Sequence, residues 1–111
     1  NDNAEYIPGQ VKLSAYRIVE EALMNALKHA EASEVVVTAI VTQDNELKIT
    51  ASDNGKGFDP KQHKDGLGLG TMSDYAEVVG GTVTIGSETG SGTVVQTELP
   101  LSDPAGAFDF R

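Results

Sequence analysis

Ala51-Ser52-Asp53-Asn54-Gly55-Lys56-Gly57-Phe58, followed after a polar stretch by Gly66-Leu67-Gly68-Leu69-Gly70-Thr71-Met72, is the part of the chain around which the rest is arranged. It holds five of the twelve glycines. Glycine lying between an apolar strand pattern and an apolar helix pattern lets backbone approach a ligand closely, and a helix start offers N–H groups that attract anions. A phosphate-bearing ligand is therefore the expectation. Taken alone, Gly66-x-Gly68-x-Gly70 divides evenly between a plain turn and a phosphate site. It lacks the Gly-Lys-Ser/Thr of a Walker loop, and no parallel strand-helix-strand unit with a later ribose-binding acid follows it, as a dinucleotide fingerprint requires.

Outward toward the N-terminus, Glu46 to Asp53 alternates, with Leu47, Ile49 and Ala51 on one side and Lys48, Thr50 and Ser52 on the other. Glu34 to Thr42 is rich in Val, Thr and Ile, and Asp44-Asn45 between the two runs suits a tight turn, so an antiparallel hairpin is predicted. The period of two gives Asp53 the parity of the core-facing side chains. A carboxylate pointing inward at a strand end is costly without a partner, so a ligand or a buried network is expected there. Gln10 to Ala30 contains neither Pro nor Gly and reads as one amphipathic helix. Its predicted buried face is Ala15, Tyr16, Val19, Ala22, Leu23, Ala26, Leu27 and Ala30. Beside that face Arg17, Glu21, Asn25, Lys28 and His29 share a stripe.

Toward the C-terminus, Phe58 to Asp65 carries Pro60 and several charges and reads as an exposed, mobile loop. Thr71 to Val79 is predicted to be a short helix with Met72, Tyr75, Ala76 and Val79 as its apolar stripe, a capping box at Thr71 and Asp74, and a stop at Gly80-Gly81. Thr82 to Ser87 and Thr93 to Leu99 form a second strand pair, in which Thr93 shares the inward parity of Val95 and Leu99. Pro100 ends the strand. Residues 1–9 read as a lead-in, 10–101 as one domain and 102–111 as a flexible tail.

The 111 residues suffice for one core, and the absence of cysteine removes disulfides and thiolate metal sites. No apolar run approaches the roughly 20 residues of a membrane helix. A net charge of −9 argues against a nucleic-acid binder or direct contact with an anionic membrane. A phosphate ligand must then be held by local groups, and Lys28, Lys56, Lys61 and Lys64, half of the eight basic residues, lie in or beside the motifs.

Four motifs occur in order: Glu21 and Asn25 with Lys28-His29 on a helix, Asp53-x-Gly55-x-Gly57 after a strand, Gly66-x-Gly68-x-Gly70 before a helix, and Gly90-x-Gly92-Thr93 opening a late strand. This order resembles the nucleotide-binding domain shared by gyrase-type ATPases, heat-shock chaperones, histidine kinases and mismatch-repair ATPases. The resemblance spans about residues 10 to 100. Within that superfamily the text from Tyr16 to Ala30, with a short loop between the second and third clusters, looks like the catalytic and ATP-binding domain of sensor histidine kinases of the nitrate-sensor and lipid-sensor type.

The resemblance implies an α/β fold, a two-layer sandwich of the Bergerat type, with a mixed, mostly antiparallel sheet covered on one face by about three helices. It implies ATP and Mg²⁺ as cofactors. Asp53 would accept from the adenine amino group and Thr93 would support the same edge. Asn25 would ligate Mg²⁺ through its amide oxygen, and Glu21, the catalytic residue, would orient or polarise near the γ-phosphate. Lys28 and His29 would contact phosphates, Gly66, Gly68, Gly70 and Thr71 would offer backbone N–H groups, and Gly55 and Gly57 would let the chain pass close to the nucleotide.

The implied function is phosphorylation of a histidine in a separate dimerisation domain, which then serves a response regulator. Neither His29 nor His63 lies in such a segment, so this chain alone is not expected to phosphorylate itself. A cytoplasmic domain of a membrane-anchored sensor is the implied setting. An anti-sigma-type serine/threonine kinase and a non-catalytic nucleotide-binding module share the same boxes. One departure stands out: Met72-Ser73-Asp74-Tyr75-Ala76 replaces the subgroup's Met-Arg-Glu-Arg-Ala, which lowers the positive charge expected near the phosphates.

Overall fold

The computed structural model describes residues 7–58 and 69–101. Helix α1 spans Gly9–Met24 and runs on without a break into a π-helical turn over Asn25–His29. The strands are β1 (Val35–Val41), β2 (Glu46–Asp53), β3 (Thr82–Ser87) and β4 (Thr93–Pro100), and helix α2 covers Leu69–Val78 between β2 and β3. The sheet order is β1-β2-β4-β3, and all three pairings are antiparallel. The two helical runs among the described residues form the second layer of the expected α/β sandwich. Mobility of the loop after Phe58 and of the tail, residues 1–6 of the lead-in, and the placement of Gly66 and Gly68 lie outside the described residues, whereas Gly9, the last residue of the lead-in, already belongs to α1.

The β1–β2 hairpin forms where the turn residues predict it. Asn45 takes a left-handed φ of 62°, and its N–H donates to the Thr42 carbonyl while Thr42 and Glu46 close the turn. Leu47, Ile49 and Ala51 are buried, and across β4 they meet Leu99, Thr97 and Val95 in register. Burial of such side chains, at about 25 cal/mol per Å² of apolar surface removed from water, is what drives the helices onto the sheet.

The buried stripe of α1 differs from the predicted one. Val11, Ser14, Ile18, Ala22 and Ala26 face the core, whereas Tyr16 and Leu27 are about 60% and 64% exposed. Periodicity alone defines a broad apolar arc. Which part of the arc is covered depends on how the helix lies on β2 and β4, and the small Ala22 and Ala26 permit the closest approach.

In α2, Met72 and Ala76 are wholly buried, with Tyr75 and Val79 packed beside them. The helix begins at Leu69, so Thr71 lies inside the first turn and does not cap it; the capping box is not formed. Its end follows the prediction. Gly80, at φ 80°, donates to the Glu77 carbonyl and Gly81 donates to that of Ala76 at 2.8 Å, the two bonds of a Schellman motif. Gly81 also lies against β4, where a Cβ would strike the Glu98 backbone and the Leu99 side chain.

Candidate functional site

The inward parity of Asp53 and Thr93 has a direct structural result. The two residues sit opposite each other in the β2–β4 register, at the same end of the sheet. There the sheet and the π-helical turn enclose a cleft of about 260 Å³ with an apolar floor that includes Ala51 and Val95. Asp53 and Thr93 supply polar groups from the sheet, Asn25 and His29 from the π turn, and Lys56 from the loop after β2. A small apolar hollow with few convergent polar groups is the usual form of a small-molecule site.

Two residues of the π turn, Asn25 and His29, reach this cleft. Ala30 donates to the Asn25 carbonyl at 2.9 Å, a bond spanning five residues. π turns of this kind are frequent at functional sites. Lys28 falls away from them and lines a separate apolar hollow with Tyr16, Leu23 and Leu27. Glu21 is half-buried one turn before Asn25 and does not line the cleft. The stripe from Glu21 to His29 is thus split: Asn25 and His29 are brought to Asp53 and Thr93, while Lys28 is not.

The loop after β2 is held by its own side chains. Asp53 Oδ1 accepts from the Gly55 N–H at 2.8 Å, which fixes the carboxylate and leaves its other oxygen for the cleft. Asn54 clamps the opposite side. Its Oδ1 accepts from the N–H groups of Ser33 and Glu34, both at 3.0 Å, and its amide donates to Ser33 Oγ at 2.9 Å. With Lys56 N–H bonded to the Ala30 carbonyl at 2.9 Å, the end of the π turn and the Asp53 loop are tied together.

This packing gives Gly55 and Gly57 a different reason from the expected one. A Cβ on Gly55 would lie 2.5 Å from the Ala30 Cβ, so the small residue is needed against the helix end. Gly57 does line the cleft, and its left-handed φ of 66° favours glycine there, where a Cβ would also strike the Glu88 carbonyl. Gly70 and Thr71 lie exposed in the first turn of α2. Lys56 reaches Glu31 at 3.6 Å in an exposed ion pair, which contributes little to stability.

Two residues important to the site escape the motif reading, Asn54 and Ser87. Asn54 carries a weak signal, an amide between Asp and Gly in a turn. Ser87 becomes visible only once the β3–β4 register pairs it with Thr93. Its Oγ lies 2.8 Å from Thr93 Oγ1, accepts from the Phe58 N–H at 2.9 Å and donates to the Gly92 carbonyl at 3.1 Å.

Among the described residues no three His, Cys, Asp or Glu side chains converge as a metal centre. A cation here would have to draw on Asn25 together with oxygens of its ligand. That fits Mg²⁺, which typically takes one or two protein groups plus substrate phosphates and water.

Residues 10–103 match the histidine kinase-, DNA gyrase B-, and HSP90-like ATPase family. The chain is 39% identical over 107 residues to the oxygen sensor histidine kinase NreB of Staphylococcus carnosus, covering 93% of this chain and 30% of that protein. It is 37% identical over 90 residues to the nitrate/nitrite sensor protein NarQ of Escherichia coli, covering 80% and 16%. The crystal structure of the ATP binding domain of PrrB from Mycobacterium tuberculosis superposes with a TM-score of 0.69 at 26% identity, covering 81% of this chain and 68% of that one. The chain spans less than a third of either curated relative. Sequence and fold together make it a member of the histidine kinase-, DNA gyrase B-, and HSP90-like ATPase family, whose ATP-binding domain it represents.

Proposed function

We propose that this domain binds Mg·ATP and presents the γ-phosphate to a histidine in the dimerisation domain of a sensor histidine kinase, from which a response regulator is served. The observation that carries the reading is the pairing of Asp53 with Thr93 at one end of a cleft whose other wall holds Asn25 and His29. The acid and the hydroxyl suit the amino edge of adenine. Asn25 offers a hard amide oxygen for Mg²⁺, and His29 and Lys56 are the described basic side chains beside the cleft.

In the transfer, the bond between the γ-phosphorus and the bridging oxygen breaks and ADP leaves with that electron pair. A phosphorus–nitrogen bond forms to the acceptor imidazole, which gives up its N–H proton. Little covalent chemistry falls to the protein, so positioning and charge neutralisation dominate. Mg²⁺, when bound, neutralises charge on the phosphate oxygens. Glu21 is one turn from Asn25 and acts by orienting the acceptor side of the reaction. Gly66, Gly68, Gly70 and Thr71 serve the phosphates by backbone N–H groups. In this reading the domain is the cytoplasmic part of a larger, membrane-anchored sensor.

Calorimetric titration with Mg·ATP tests the reading. Wild type is expected to bind, Asp53→Ala to lose binding, and Asn25→Ala to lose the Mg²⁺ dependence while retaining weak nucleotide affinity. Unchanged binding in Asp53→Ala would overturn the adenine site. Acid-labile phosphate on the isolated domain would contradict the need for a separate acceptor.

A further inference from the structure

Ser87 lies at the end of β3, and its Oγ meets three partners of different character. The Phe58 N–H can only donate, the Gly92 carbonyl can only accept, and the Thr93 hydroxyl can do either. A serine hydroxyl has one proton. All three contacts are satisfied together only when that proton goes to Gly92 and Thr93 donates its own proton to Ser87. Thr93 then faces the cleft with lone pairs alone. Directly across the β2–β4 register, Asp53 presents a carboxylate, also a pure acceptor, with Oδ1 already held by the Gly55 N–H.

We infer that Ser87 is a positioning residue that sets the polarity of the Thr93 hydroxyl, so that this end of the cleft selects a purine carrying an exocyclic amine and rejects one carrying a carbonyl. The inference rests on the adenine-site reading above and adds a residue and a selection rule to it. Two adjacent acceptors welcome N–H donors, whereas a ring carbonyl brought to the same place meets lone pairs on both sides. Buried polar groups left without partners are what gives such sites their selectivity. Ser87 has a second effect through the Phe58 N–H: it ties Phe58, which lines the cleft, to the end of β3.

The test compares ATP with inosine triphosphate, which has a ring carbonyl where ATP has the amine, by titrating the Mg²⁺ complex of each into the domain. Ser87→Ala frees the Thr93 proton to donate. It is expected to weaken ATP and improve inosine triphosphate, narrowing their affinity ratio by about three- to tenfold, the weight of one hydrogen bond. Ser87→Thr restores the wild-type ratio. In a Thr93→Val background, Ser87→Ala leaves the ratio unmoved, because the hydroxyl it governs is gone. Ser87→Cys preserves the shape with a feeble hydrogen-bonding group and shifts the ratio in the same direction as Ala, so the test survives poor folding of one variant. A purely structural role would weaken both nucleotides equally. An unchanged ratio in Ser87→Ala, with ATP bound by wild type and lost in Asp53→Ala, overturns the inference and leaves the site reading intact. Retained binding in Asp53→Ala overturns both.

Discussion

At the scale of single residues, Asp53 and Thr97 show how a strand's parity makes opposite demands on polar groups. Asp53 points inward at the strand end, beside a cleft. Thr97 points inward in the middle of β4, between Ile49 and Val83, and its Oγ1 is buried with no hydrogen-bond partner among the described residues. Removing the orphaned hydroxyl without changing shape, as in Thr97→Val, is expected to raise unfolding stability by about 1 kcal/mol in a denaturant titration. Asp53→Asn tests the other case. The amide oxygen can keep the Gly55 N–H, which turns the NH₂ group into the cleft and replaces an acceptor with a donor. ATP affinity should fall at least about tenfold, with stability altered by less than about 0.5 kcal/mol. Asp53 and Thr93 are legible in the sequence because a period of two is strict. Ser87 and Asn54 are not, because their partners lie 5 to 29 and 20 to 21 residues away and become neighbours only through strand register and loop path.

At the scale of elements, hydrophobic patterning and turn chemistry give every strand and both helices, including the left-handed turn at Asn45 and the stop at Gly80-Gly81. Two features stay hidden. The rotation of α1 on the sheet depends on the surface it meets, so Tyr16 and Leu27 are counted as core from the pattern alone and prove exposed. The π turn leaves no mark in the propensity of Asn25 to His29, the run in which Lys28 lines one hollow and His29 the other. Asn54 shows an element-scale dependence of a different kind, since its side chain joins the exit of that turn to the end of β2. Asn54→Ala removes three hydrogen bonds at an exposed seam and is expected to cost about 1–3 kcal/mol, measured by thermal or urea unfolding. Faster amide exchange should accompany it at Ser33 and Glu34, whose N–H groups lose their acceptor.

At the scale of the molecule, charge and topology matter more than any contact. A net charge of −9 repels a polyanionic nucleotide over distances far larger than the cleft. Salt shortens that reach, to about 10 Å at 0.1 M. The association rate for Mg·ATP is therefore expected to rise between low and moderate ionic strength in stopped-flow measurements, the reverse of a basic nucleotide binder. A rate that falls over that range would mean that local cations govern approach. The sheet order has a further consequence. The last strand in sequence, β4, is an inner strand, flanked by β2 on one side and β3 on the other. During synthesis, which proceeds from the N-terminus, the ribosome releases α1, β1, β2, α2 and β3 before the piece that joins them. Until residues 93–100 emerge, Asp53 has no Thr93 opposite it and the apolar edges of β2 and β3 stand open. A nascent chain of this domain can have its helices and a hairpin, but it acquires nucleotide binding only when its final strand slides into the gap.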